Sequence, residues 1–203
     1  MKRFLALFVL IVASASAQAE APVILVFGDS ISAGYGLPLE QGWVELLRTK
    51  LKAQGYGYQV VNASVSGETT AGGLARLPRA LELHHPSIVI LELGGNDGLR
   101  GLPVAQMRTN LTQMISLSTA AGAKVLLLGM RMPPNYGPEY TKQFAMVFSD
   151  LATEKKISLV PFLLTDIALS PALLQADDIH PNAQGQPILL DNVWPTLKPL
   201  IHK

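Results

Sequence analysis

Five positions in this 203-residue chain carry residue types that acyl transfer to a serine requires. Ser30 stands in Phe27-Gly28-Asp29-Ser30-Ile31-Ser32, directly after an apolar run. Gly67 closes Ser64-Val65-Ser66-Gly67, Asn96 lies in Gly94-Gly95-Asn96-Asp97, and Asp177 precedes His180 by three residues. A serine hydroxyl attacks only when a base takes its proton, and imidazole is the side chain that ordinarily titrates near neutral pH. A carboxylate on the far ring nitrogen fixes the tautomer and stabilises the imidazolium. A turn between Asp177 and His180 would bring the Asp177 carboxylate to Nδ1. Asp178 is the competing carboxylate, and its adjacency to Asp177 predicts that it turns elsewhere. The oxyanion of the tetrahedral intermediate needs preorganised donors; the N–H groups of Ser30 and Gly67 and the amide of Asn96 are candidates. Taken alone, Ser30 reads as a serine that caps a turn or helix. The other four positions reverse that reading.

The elements that must position these residues alternate along the chain. Val23 to Phe27 is a short apolar run bounded by turn residues, as in a buried parallel strand. Tyr58–Ala63, Ser87–Leu91, Lys124–Gly129 and Ile157–Val160 read as four further strands. Helical spacing covers Trp43–Gln54, Thr69–Leu83, Val104–Ala120, Tyr140–Lys155 and Ala183–Leu197. Gly72, Gly73 and Pro78 weaken the second of these helices, and Pro187 and Pro195 interrupt the last. Alternation predicts an α/β fold: a parallel sheet covered on both faces, α/β/α in three layers, in one domain. All strand C-termini then face one way, so the residues after each strand meet in space. Asp29 and Asp97 read as braces of their loops, and His84, His85 and His202 as solvated surface residues.

Position 32 is Ser rather than Gly, so no GxSxG elbow surrounds Ser30, and neither a P-loop nor a dinucleotide fingerprint appears. Four blocks, Gly28-Asp29-Ser30, Gly67, Gly95-Asn96-Asp97 and Asp177-x-x-His180, together resemble the SGNH hydrolases, also called GDSL esterases and lipases. Residues 72–77 (Gly-Gly-Leu-Ala-Arg-Leu) and 93–101 (Leu-Gly-Gly-Asn-Asp-Gly-Leu-Arg-Gly) are similar to the exported bacterial thioesterase I, lysophospholipase L1 and arylesterase subgroup. Ile31 departs conservatively from the leucine in the family name. The resemblance implies a flavodoxin-like five-stranded parallel sheet in the order 2-1-3-4-5. It implies a catalytic Ser30, Asp177 and His180, oxyanion donors from Ser30, Gly67 and Asn96, and no metal or cofactor.

Composition bounds the partners. Lys2 and Arg3, an apolar stretch from Phe4 to Ala13 and Ala17-Gln18-Ala19 form the pattern of a signal peptide over residues 1–19, cut after Ala19. The apolar stretch is shorter than the roughly 20 residues of a membrane span. The expected product is a soluble exported chain, residues 20–203, periplasmic or secreted. A retained anchor is the competing reading. Losing Lys2 and Arg3 takes the formal charge from +1 to −1, which leaves no electrostatic footprint for nucleic acid. There is no cysteine, so thiol nucleophiles, thiolate metal sites and disulfides are excluded.

The expected partner is a small ester or thioester with an apolar acyl or aryl group, acted on by a monomer. The loops Leu99–Pro103 and Met130–Tyr140 are rich in Leu, Met and Pro. Leu99, Leu102 and Pro133 are therefore candidate substrate-contact residues. Gly98–Pro103 reads as a mobile flap beside Asn96 that senses the acyl chain; the competing reading is an ordinary loop whose leucines pack into the core. A carbohydrate O-deacetylase of the same mechanism is the alternative enzyme, although aromatics make up only 6% of the chain. An inactive binding protein on the same fold is the alternative of another class.

Overall fold

The computed structural model describes residues 21–203. The expected signal peptide lies outside them. Five strands form one parallel sheet: β1 (Val23–Gly28), β2 (Gln59–Asn62), β3 (Ile88–Glu92), β4 (Lys124–Leu128) and β5 (Ser158–Val160). Their order is β2-β1-β3-β4-β5. β1 and β3 are central, and the side chains of Ile24–Phe27 and Val89–Leu91 are fully buried. That double-sided burial is why these strands read as unbroken apolar runs rather than alternating ones.

The described residues form seven α-helices: α1 (Ser30–Ala33), α2 (Trp43–Ala53), α3 (Thr70–His84), α4 (Gly95–Leu99), α5 (Val104–Ala120) and α6 (Pro138–Lys155) between strands, and α7 (Gln186–Leu197) after the last of them. α2 packs on α7, while α5 packs on both α3 and α6. The chain leaves β1 for one edge, then returns past it to build β3, β4 and β5. Right-handed crossovers that reverse direction place their helices on opposite faces. The reversal point lies between β1 and β3, where such sheets open a crevice at their strand ends.

Some boundaries differ from the sequence expectations for identifiable reasons. α6 begins at Pro138, because proline is accommodated in a first helical turn. α7 begins at Gln186: Asn182 Oδ1 accepts the N–H groups of Gln184 and Gly185 and holds 183–185 in a turn. Pro187 accordingly sits in the first turn of α7 rather than interrupting it. α3 runs through Pro78, and its Gly73 is packed where a Cβ would lie 2.4 Å from Leu93. Two one-turn helices, α1 and α4, were not anticipated. Both start directly after a central strand, where no periodicity can develop over four or five residues.

Candidate active site

The C-terminal ends of β1, β2 and β3 and the loop before α7 converge at one rim of the sheet. Ser30 opens α1, and Asp29 caps that helix: its Oδ1 accepts the N–H of Ile31 at 3.1 Å. The β2 end is tied to the same turn, with Asn62 donating from Nδ2 to Ser32 O at 2.8 Å. His180 Nε2 lies 2.8 Å from Ser30 Oγ, and His180 Nδ1 lies 2.6 Å from Asp177 Oδ2. A continuous hydrogen-bonded chain thus runs from carboxylate to imidazole to hydroxyl.

The Asp177 loop makes this pairing possible by folding back on itself. Leu174 and Pro181 form an isolated antiparallel bridge, and Gln175 N–H donates to His180 O at 2.8 Å. Asp177 Oδ1 accepts the N–H groups of both Ile179 and His180 at 3.0 Å, which leaves Oδ2 for the ring. Desolvation works against ionisation of Asp177. The hydrogen bonds from the His180 backbone and ring and from Ile179 outweigh it and hold the carboxyl at about 2. Asp178 adopts a left-handed backbone (φ 57°) and faces the cavity without joining the chain.

Asn96 lies in the first turn of α4 and lines the same cavity as Ser30. Its Nδ2 donates to Asp29 Oδ2 at 3.1 Å, which fixes the amide plane and leaves the second amide hydrogen free to point elsewhere. Asp29 is buried, and that burial raises its pKa to about 6 against the opposing bonds from Ile31 and Asn96 and the nearby His180. Gly67 takes φ 78°, a conformation glycine adopts without strain, and its carbonyl accepts from Arg100 Nη2 at 2.9 Å. Asp97 braces the loop as expected: it accepts Thr70 N–H at 2.8 Å and Thr70 Oγ1–H at 2.5 Å.

These residues open onto a cavity of about 560 Å³. Leu99 and Pro133 line it, together with Met130, Met132, Phe162, Leu164, Leu169 and Leu174. Leu102 does not. It lies past the left-handed turn at Gly101, and its side chain is 37% exposed. The segment 98–103, expected to act as a flap, is hydrogen-bonded to neighbouring elements. Tyr136 OH donates to Leu99 O at 2.9 Å and Tyr140 OH to Leu102 O at 3.1 Å, so α6 and the turn before it pin the segment. Gly98 is buried where a Cβ would meet Met132 and Phe144.

Sequence reasoning missed three contributors. Tyr35 lies against His180 with ring centroids 4.7 Å apart and planes tilted by 40°, and is half exposed in the cavity wall. Gln175 clamps the histidine loop to the serine loop, donating from Nε2 to Tyr35 O at 2.8 Å. The arm from Phe162 to Leu174 forms the far wall. It follows β5, so the rule that gathered the other loops at the strand ends would have found it.

The family model for GDSL-like lipases and acylhydrolases matches residues 26–188. This chain belongs to that family. The esterase TesA of Pseudomonas aeruginosa is 55% identical over 184 residues, 91% of this chain and 92% of that protein. A crystal structure of TesA superposes with a TM-score of 0.86, covering 88% of this chain and 99% of the other. An arylesterase of Vibrio mimicus is 42% identical, covering 95% of this chain and 96% of its own. The thioesterase 1/protease 1/lysophospholipase L1 of Escherichia coli K12 is also 42% identical, over 91% of this chain and 87% of that protein. The chain is a carboxylic ester hydrolase on an SGNH fold. Among the described residues, no group of three or more His, Asp or Glu side chains is placed to hold a metal ion. No helix among them is long and apolar enough to cross a membrane.

Proposed function

We propose that the chain is an exported, periplasmic serine esterase that hydrolyses aryl esters, acyl-thioesters and lysophospholipids through an acyl-enzyme on Ser30. The observation that carries this is the unbroken chain Asp177–His180–Ser30 opening into an apolar cavity. His180 Nε2 takes the Ser30 proton as Oγ bonds to the substrate carbonyl carbon. Asp177 holds Nδ1–H and stabilises the imidazolium that forms. The carbonyl oxygen becomes an oxyanion received by the N–H groups of Ser30 and Gly67 and by Asn96 Nδ2. Collapse breaks the bond to the leaving alcohol or thiol, which departs with the proton from His180. Water, deprotonated by the same imidazole, then attacks the acyl-serine, and collapse returns the proton to Ser30 and releases the acid.

The cavity wall favours an apolar acyl or aryl group. Its Met, Leu and Phe side chains offer an acetylated sugar few hydrogen bonds, so the deacetylase reading has no support from the wall. Arylesterase and thioesterase names among the relatives agree with these substrates. The test is a fluorophosphonate label on wild type and Ser30→Ala, followed by a panel of p-nitrophenyl acetate, longer p-nitrophenyl esters, acyl-thioesters and acetylated xylan. Labelling confined to wild type and turnover confined to the esters and thioesters support the reading. Turnover of xylan alone would replace it.

A further inference from the structure

Glu92 is a buried acid that the mechanism above leaves unused. It ends β3 with no exposed surface, four residues before Asn96. Its Oε2 accepts the Asp29 N–H at 3.2 Å and the Ser32 hydroxyl at 2.8 Å. Those donors flank Ser30 on either side. Its Oε1 is buried without a partner. The glycine before Asp29 answers to the same carboxyl: a Cβ on Gly28 would lie 2.5 Å from Glu92 Oε2.

We propose that Glu92 is a positioning residue, a buried acceptor that fixes the turn presenting Ser30 and, through Asp29, the amide of Asn96. The inference rests on the reading of Ser30 as nucleophile and Asn96 as oxyanion donor. The physical argument concerns placement. Ser30 lies on a one-turn helix, and so short a helix has little stability of its own. Its start is held by Asp29 and its middle by Ser32, and Glu92 binds both. Asp29 in turn carries Asn96 on its other oxygen. One carboxyl therefore sets the distance between nucleophile and oxyanion donor.

Both donors to Glu92 are neutral, and the one charged group facing it is the Asp29 carboxylate. Desolvation, then repulsion from Asp29, push the Glu92 pKa well above its usual value. What the site uses is an acceptor at Oε2, which takes both bonds. Glu92→Gln keeps a carbonyl acceptor at the same position without charge. Glu92→Leu keeps the bulk and removes the acceptor.

The test measures kcat, KM and fluorophosphonate labelling rate for wild type, Ser30→Ala and both Glu92 variants, with thermal unfolding for each. Glu92→Gln should retain kcat within about 3-fold. Glu92→Leu should lose kcat and labelling rate by about 10- to 100-fold at nearly constant KM, the scale of loss expected from misplaced reacting groups. Rescue by the amide and the kcat-only loss are what a merely structural residue would not give. A Glu92→Leu enzyme with wild-type kcat and only a lower Tm overturns the proposal, as does a Glu92→Gln enzyme as poor as Glu92→Leu. If Glu92→Leu does not fold, Ser32→Ala removes one of the two bonds alone. It should cost kcat by about 3- to 10-fold, and an unchanged kcat overturns the proposal. Labelling that survives Ser30→Ala overturns both this inference and the mechanism it rests on. Labelling lost in Ser30→Ala, with Glu92→Leu unaffected, overturns this inference alone.

Discussion

Asp177 and Asp178 are neighbours of the same type with opposite surroundings. Asp177 is the partner of His180 Nδ1 and accepts two backbone N–H groups, whereas Asp178 is turned away by a left-handed backbone. Only one carboxylate can accept the ring proton. Asp177→Asn should lower kcat by about 10⁴-fold, the known scale for a wrong tautomer, while Asp178→Asn should stay near wild type. Steady-state kinetics on p-nitrophenyl acetate decide it; the reverse ranking would refute the assignment. Asn96 is held by Asp29 before any substrate arrives. Because its bond strengthens only as charge develops, Asn96→Ala should reduce kcat by roughly 10²–10³-fold with little change in KM. A loss in KM alone would mark Asn96 as a ground-state binder.

At the scale of elements, α4 and the loop after it are positioned by α6 and the turn before it. The Tyr136 and Tyr140 hydroxyls bind carbonyls of the segment, so its two leucines have fixed and different destinations. Leu99 faces the cavity and Leu102 does not. A buried methylene is worth about 0.8 kcal/mol, so an acyl chain several carbons long responds strongly to the wall it touches. Leu99→Ala should penalise octanoyl esters more than acetyl esters in kcat/KM, by about 5-fold or more on that scale. Leu102→Ala should leave the ratio unchanged. Equal effects from the two variants would show that neither leucine reads the chain.

For the whole molecule, the site imposes opposite pH dependences on stability. Asp29 is held at about 6, above the roughly 3.9 of an unfolded aspartate. The unfolded chain therefore releases this proton first, and the contribution is full below about pH 4 and is lost as pH rises to about 6. Asp177, held at about 2, works the other way: its contribution is present above about pH 4 and is lost as pH falls through about 2. Asp29→Asn removes the first dependence. Its Tm relative to wild type should rise by several degrees between pH 4 and pH 7, since about 2–3 kcal/mol is at stake and each 1 kcal/mol shifts a chain of this size by about 2–4 °C. A constant gap across that range would show that Asp29 does not carry the cost.

The central strands were legible because double-sided burial writes itself into the sequence as unbroken apolar runs, whereas the edge strands β2 and β5 are only partly buried. Ser30, Gly67 and Asn96 were legible because each lies within five residues of a strand's C-terminal end, and parallel strands end on one side. Asp177 and His180 were legible as a pair because a three-residue turn is local. The strand order came from the resemblance of four spaced blocks, which periodicity alone does not encode. Tertiary structure decided the rest. Leu99 and Leu102 look alike in sequence, yet the turn at Gly101 and the hydroxyl of Tyr140, 38 residues from Leu102, send one to the cavity and the other outward. Glu92 falls just past the strand read from the sequence, and its partners Asp29 and Ser32 lie about 60 residues away. Periodicity reports whether a residue is buried. What it is buried against depends on which strands the crossovers bring side by side.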